Sequence, residues 1–147
     1  MENNITIEQL TKFSSADIDA IRNLASKLGS NYKELTDEDM QEMLDSSNTN
    51  ILVAREEKEQ KIVAMITVFV YRTPYLRKSY LDEFIVDELY RGRGIGSTLF
   101  KKALDLARDK GAAYVDFTSS PDKIASNSLY EKLGFKKRNT NVYRFDF

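Results

Sequence analysis

The longest apolar stretch in the sequence, Ile62 to Tyr71, is no longer than a β-strand and is rich in β-branched and aromatic residues. Those residue types suit a pleated sheet, and a helix crossing a bilayer would need ~18 consecutive apolar residues. A shorter apolar run, Asn50 to Arg55, precedes it, and the charged segment Glu56 to Lys61 divides the two. Two such runs around a charged turn predict an antiparallel hairpin. The fold is therefore built around a sheet, and the flanking segments must supply its neighbours.

Upstream, Ile5 and Ile7 alternate within Asn4 to Leu10 and suggest a first strand. Ser14 or Ser15 offers an N-cap, after which Ile18, Ile21, Leu24, Ala25 and Leu28 follow at helical spacing as far as Gly29. Thr36 with Asp39 resembles a capping box, opening a shorter helix whose Met40, Met43 and Leu44 read as core or as lining of a substrate cleft. Downstream, Ser79 to Val86 predicts a strand interrupted by the acidic pair Asp82 and Glu83. The period then changes. Ile95, Leu99, Ala103, Leu106 and Ala107 mark an amphipathic helix that ends at Gly111. Ala113 to Phe117 reads as a strand, Ile124 to Leu133 as a helix closed by Gly134, and Phe135 to Phe147 as a returning strand. The order β-α-α-β-β-β-α-β-α-β describes a mixed α/β domain with hairpin-linked first strands and one β-α-β crossover, right-handed by the general rule.

No repeat, low-complexity tract or linker divides the 147 residues, which read as a single domain spanning 1–147. The chain has no Cys and no His. That removes disulfides, thiolate nucleophiles, Cys/His metal sites and imidazole triads, so no metal is expected and the chemistry falls to carboxylates, Tyr, Lys, hydroxyls, backbone groups or a borrowed cofactor. A net charge of −1 argues against a nucleic-acid partner, and no apolar run is long enough for a membrane span. The amino terminus, Met-Glu-Asn-Asn, has no basic region followed by an apolar core, which makes the cytoplasm the expected location. Arg72, Arg77 and Lys78 around Pro74 and Tyr75, and the run Lys136-Lys137-Arg138, read as solvated surface charge.

Between the acidic strand and the amphipathic helix lies Arg91-Gly92-Arg93-Gly94-Ile95-Gly96, followed by Ser97. Small residues at a helix start let backbone N–H groups approach an anion with the helix dipole behind them. Arg91 and Arg93 add positive charge. A Walker A loop needs Gly-Lys-Ser/Thr at its end, and none occurs; a dinucleotide fingerprint needs a third glycine where Ser97 stands. Asp116 lies at the distance of a ribose-binding acid, but its neighbours Val115 and Phe117 mark it as a strand residue.

The spacing Arg-x-x-Gly-x-Gly, met by Arg91, Gly94 and Gly96, resembles the loop with which the GNAT superfamily of N-acetyltransferases holds the pyrophosphate of coenzyme A. A second segment, Ala125-Ser126-Asn127-Ser128-Leu129-Tyr130-Glu131-Lys132-Leu133-Gly134-Phe135, is similar to another motif of that family, departing from it only at Ser126. The resemblance is close from Tyr80 to Phe147; Met1 to Lys61 agrees in its order of elements alone. It implies a GNAT-like mixed, largely antiparallel central sheet with flanking helices, and acetyl-CoA as co-substrate. It implies cofactor binding by Arg91, Gly92, Arg93, Gly94, Ile95, Gly96 and Ser97, with backbone groups of Phe84, Ile85 and Val86 along the pantetheine arm.

Acyl transfer to an amine needs a neutral amine, and an amine of pKa ~10.4 costs about 4.6 kcal/mol to deprotonate at pH 7. A carboxylate can carry that proton away, which makes Asp82 and Glu83 the candidate bases, Glu83 slightly favoured. Neighbours on a regular strand face opposite ways, so at most one of them is expected to face the cleft. Tyr130, a phenol of pKa ~10, can protonate a departing thiolate, and its position matches the family's general acid. Asn127, one turn earlier, is a candidate coenzyme ligand. The expected activity is acyl-CoA-dependent N-acyl transfer, most simply of acetyl, direct within a ternary complex because no cysteine can form an acyl-enzyme. Its acceptor is a small-molecule or protein amine, favoured as cationic by Asp82, Glu83 and Asp87, and the enzyme is a candidate homodimer. The alternatives are a coenzyme-A-binding regulatory module without turnover and a tRNA-modifying toxin on the same scaffold.

Overall fold

The computed structural model describes residues 4–147, which form two compact units meeting at Phe117 and Thr118 in the chain. The larger unit contains β1 (Ile5–Gln9), α1 (Ser15–Ala25), α2 (Asp37–Asp45), β2 (Thr49–Glu56), β3 (Lys61–Arg72), β4 (Arg77–Val86), α3 (Ile95–Asp109) and β5 (Val115–Asp116). A 3-10 turn at Glu88–Tyr90 joins β4 to the glycine loop. The sheet runs β1-β2-β3-β4-β5; its first four strands are antiparallel and β5 lies parallel to β4. It is mixed and largely antiparallel, as the family resemblance implies, and β4–α3–β5 is its crossover.

The apolar stretch that opened the sequence is explained by its place at the centre of this sheet. Along β3, Val63, Ala64, Ile66 and Val68 are fully buried, because a strand covered on both faces has no solvent side to make polar. On one face, Met65 packs with Ile51, Val53 and Ile85 from the neighbouring strands against Ile18, Ile21 and Leu24 of α1 and Met40 of α2. Alternation puts Ile66 and Val68 on the other face, against which α3 lays Leu99, Phe100, Ala103 and Ala107. Met40 is thus core. Truncating a fully buried Leu such as Leu24 to Ala costs about 2–5 kcal/mol.

The turns and caps follow local chemistry. In the β2–β3 turn the buried carboxylate of Glu56 accepts the N–H groups of Lys58 and Glu59 at 3.1 and 2.7 Å. Ser14 is the N-cap of α1: its hydroxyl accepts the Asp17 N–H and its own N–H donates to Asp17, both at 3.1 Å. Thr36 and Asp39 build the same reciprocal box for α2 at 3.0 Å. Arg55 of β2 then ties α1 to the sheet, pairing with Asp17 and Glu8, each at 2.8 Å.

The 118–147 unit, taken by itself, carries one regular element, α4 (Ile124–Lys132). The strand expected over Phe135–Phe147 is not found there. A strand exists only through a partner's ladder, and this unit alone offers none. In the larger unit β5 is shorter than the expected Ala113–Phe117, because pairing with β4 reaches only Ser79↔Val115 and Tyr80↔Asp116.

Candidate active site

The start of α3 differs from the other helix starts of its unit. Ser14 and Thr36 close α1 and α2 with side-chain caps and place an acid in the first turn, whereas α3 begins at Gly94 with no side-chain cap and no acid in its first turn. Gly94 sits in the left-handed region at φ 77°, a conformation costing an L-residue roughly 1–2 kcal/mol. Thr98 makes the first helical hydrogen bond, its N–H donating to the Gly94 carbonyl at 3.1 Å. The N–H groups of Ile95, Gly96 and Ser97 therefore precede any intrahelical partner and carry the positive end of the dipole. Ile95 buries its side chain, 5% exposed, so it can serve a ligand through its backbone alone. Arg91 and Arg93 are exposed, and both are tethered: Arg91 Nε donates to the Val86 carbonyl at 3.1 Å, and Arg93 Nη2 to the Leu89 carbonyl at 2.9 Å. The Arg93 guanidinium also lies 5.1 Å from the centre of the Tyr90 ring, a contact with no signal in the loop motif.

The candidate base residues lie on an irregular part of β4. The ladder runs regularly to Thr67↔Asp82 and resumes at Met65↔Ile85, so Glu83 and Phe84 together face the single Ile66. This is a one-residue bulge, and Glu83 is its left-handed residue at φ 51°. The expectation that Asp82 and Glu83 face opposite ways assumed a regular strand; here both are exposed. Partial desolvation by the surrounding chain first, and then the nearby Asp82 charge, raise the Glu83 carboxyl above the usual carboxylate range. Beyond the bulge, Phe84 turns its ring edge onto Phe100 with centroids 4.6 Å apart, while Ile85 joins the α1–α2 core. The β4–β5 ladder ends at Tyr80, so Leu81–Val86 has no strand beside it on the β5 side within this unit. Asp87 does not belong with the other two acids. It is 6% exposed and its carboxylate accepts the Leu89 N–H at 3.0 Å, capping the 3-10 turn.

In the 118–147 unit, α4 and the segment before it hold Tyr130 and Asn127. Asn127 Nδ2 donates to the Ser120 carbonyl at 3.0 Å and so fastens the loop before α4 to the helix. Burial raises the Tyr130 phenol above its ordinary value, opposed by the nearby Ser126 and Ser119 hydroxyls. Ser119 Oγ is buried without a geometrically complete hydrogen bond, so its influence is one of proximity. The helix ends by a paired stop: Gly134 N–H donates to the Glu131 carbonyl and Phe135 N–H to the Tyr130 carbonyl, both at 3.0 Å. Gly134 supplies the left-handed φ of 91° that this stop needs. The Phe135 ring then meets the Tyr130 ring edge-on, centroids 6.4 Å apart. Ser119, Ser120 and Phe135 were not singled out from sequence; the Gly-Phe pair after the helix was the available signal for the last.

Comparison with known proteins bears on both units. Residues 18–135 match the family model described as the acetyltransferase (GNAT) family. The N-acetyltransferase 8B of Homo sapiens is 34% identical over 89 residues, which cover 59% of this chain and 39% of that protein. The chain thus spans about two-fifths of that relative's length. A Trypanosoma brucei acetyltransferase of solved structure superposes with a TM-score of 0.81 at 21% identity, covering 98% of this chain and 100% of that one. An aminoglycoside N-acetyltransferase solved in complex with CoA gives a TM-score of 0.79 at 16% identity, covering 97% and 95%. At these identities the likeness to the solved structures is one of fold. The family match itself runs from within α1 to Phe135, taking in the uncapped helix start and the Tyr130 turn alike, and the chain belongs to the acetyltransferase (GNAT) family.

Proposed function

We propose that this chain is a cytoplasmic, acetyl-CoA-dependent N-acyltransferase that moves an acetyl group directly to a primary amine. The observation that carries the reading is the open start of α3: Gly94 is left-handed, no side chain caps the helix, and two arginines, Arg91 and Arg93, lie just before the glycine. Such a start is complementary to a pyrophosphate, as backbone N–H groups and guanidinium groups both favour its charge. Ile95, Gly96 and Ser97 would donate from the backbone, and Arg91 and Arg93 would add charge. The side of Leu81–Val86 that has no strand neighbour within its own unit would accept an extended pantetheine arm as a strand accepts a neighbour. The Val86 carbonyl already holds the Arg91 guanidinium, and Ile85 shares the parity of Asp87, whose N–H is turned to Val63 of β3, so the backbone of Phe84 is the better placed partner on the open edge.

When bound, the coenzyme supplies the activated thioester. Glu83 takes a proton from the acceptor ammonium, directly or through water, so that nitrogen can attack the acyl carbon. A C–N bond forms and the C–S bond breaks; Tyr130 would give its proton to the departing thiolate, and the second proton shed by the acylated nitrogen would restore the phenol through water. A raised Glu83 suits a base working near neutral pH, and a raised Tyr130 stays protonated until needed. The exposed acids of β4 favour a cationic acceptor, the class to which the aminoglycosides in the name of the CoA-bound neighbour belong.

The test is release of free CoA from acetyl-CoA across a panel of amines, for the wild type and for Tyr130→Phe. Turnover with at least one cationic amine is expected, with kcat reduced about 10²-fold in the variant, at the low end for loss of a positioned acid. Gly94→Trp should abolish coenzyme binding while circular dichroism stays unchanged. Tight acetyl-CoA binding without turnover on any amine would instead identify a regulatory module.

A further inference from the structure

Glu83 occupies a backbone region that glutamate rarely adopts, and something must hold it there. At φ 51° it is one of two non-glycine residues with positive φ among those described, the other being Gln60 in the β2–β3 turn. Left-handed bulge positions are usually filled by glycine because any other residue is strained. In a regular β4, Glu83 would follow Ser79 and Leu81 onto the face where both are buried, at 2% and 3% exposure. A carboxylate there would sit against α3 without solvent. The bulge takes Glu83 out of the ladder and returns Phe84 to that face, against Phe100. The neighbouring carboxylate supplies the restraint: Asp82 Oδ1 accepts the backbone N–H of Glu83 at 2.9 Å. Asp82 itself remains in register opposite the uncharged, buried Thr67.

We infer that Asp82 is a positioning residue for Glu83, clamping the left-handed bulge through the Glu83 N–H and so setting the carboxylate outside the ladder. The inference rests on the reading of Glu83 as the base. Asp82 has a second, electrostatic effect, since its charge opposes ionisation of Glu83. Other elements packed on β4 bring apolar groups to this level, namely Met65 and Ile66 of β3, the α1 face and Phe100 of α3. Asp116 of β5 pairs with Tyr80, further down the strand.

Two substitutions separate the clamp from the charge. Asp82→Asn keeps an oxygen acceptor and removes the charge; Asp82→Ala removes both. In Asp82→Asn the Glu83 carboxyl, followed by carbon-13 NMR, should titrate at lower pH, and the acid limb of the kcat profile should move with it. In Asp82→Ala the Glu83 amide should exchange with solvent faster, and kcat should fall about tenfold with the KM for acetyl-CoA unchanged, the size expected for one lost hydrogen bond. Unchanged Glu83 titration and unchanged amide exchange in both variants would overturn the inference. So would equal loss of kcat in both with Glu83 unaffected, which would make Asp82 a contact of the acceptor. Glu83→Gln with full activity would overturn the base reading instead, and the titration and exchange measurements on Asp82 variants would still report on the clamp.

Discussion

Glu83 is held at a free-energy disadvantage that its chemistry explains. Its folded pKa lies above the ordinary carboxylate value, so the folded state binds the proton more tightly than the unfolded chain does. The sign follows by linkage. Ionisation of Glu83 lowers stability above its folded pKa, and the penalty vanishes once pH falls below the unfolded value of ~4.3. Glu83→Gln should therefore raise the Tm at pH 7, with the gain disappearing as pH is lowered to 4, while kcat falls about 10²- to 10⁴-fold at neutral pH. Thermal melts of both proteins at the two pH values check the first statement, and steady-state kinetics check the second. Tyr130 complements it. A phenol held above its ordinary value keeps its proton across the working range, so the alkaline limb of the kcat profile should lie at the upper end of the accessible pH scale.

The elements differ in how far local sequence determines them. Ser14 with Asp17, and Thr36 with Asp39, set the starts of α1 and α2 through bonds made within four residues, and such starts are legible. The open start of α3 was legible for the same reason, since Gly94 and Gly96 carry it. The bulge in β4 was not. Its left-handed residue is a glutamate, so no glycine marks it, and its place is set by Met65 and Thr67 of a distant segment, which fix the register on either side. The extent of β5 was likewise hidden, because pairing with Ser79 and Tyr80 alone is a property of the sheet. At the end of α4 the glycine was legible and its consequence was not: the stop fastens Tyr130 by its carbonyl and its ring. Gly134→Ala meets no atom within 4 Å, so its cost is conformational, about 1–2 kcal/mol for a left-handed alanine. It should lower the denaturant midpoint and kcat together. Phe135→Leu should keep the stop and lose the ring contact, lowering kcat with a smaller loss of stability.

At the scale of the whole molecule, the composition that first looked like a deficit becomes a testable constraint. With no cysteine in the chain, alkylation by N-ethylmaleimide should leave acetyl transfer unchanged when the reagent is removed before acetyl-CoA is added. Inactivation under those conditions would have to come from modified lysine amines, since no thiol exists to react. The sheet has a further consequence. Because strand order in space repeats strand order in the chain, a polypeptide leaving the ribosome can pair β1 through β4 while the glycine loop is still being made. At that moment Ile66 and Val68 lie bare on one side, and α3 is the helix of this unit that comes to cover them. The segment that arrives to shield the nascent sheet carries the anion-binding amides at its leading end, so newly made chains should become protease-resistant and competent for coenzyme in the same step.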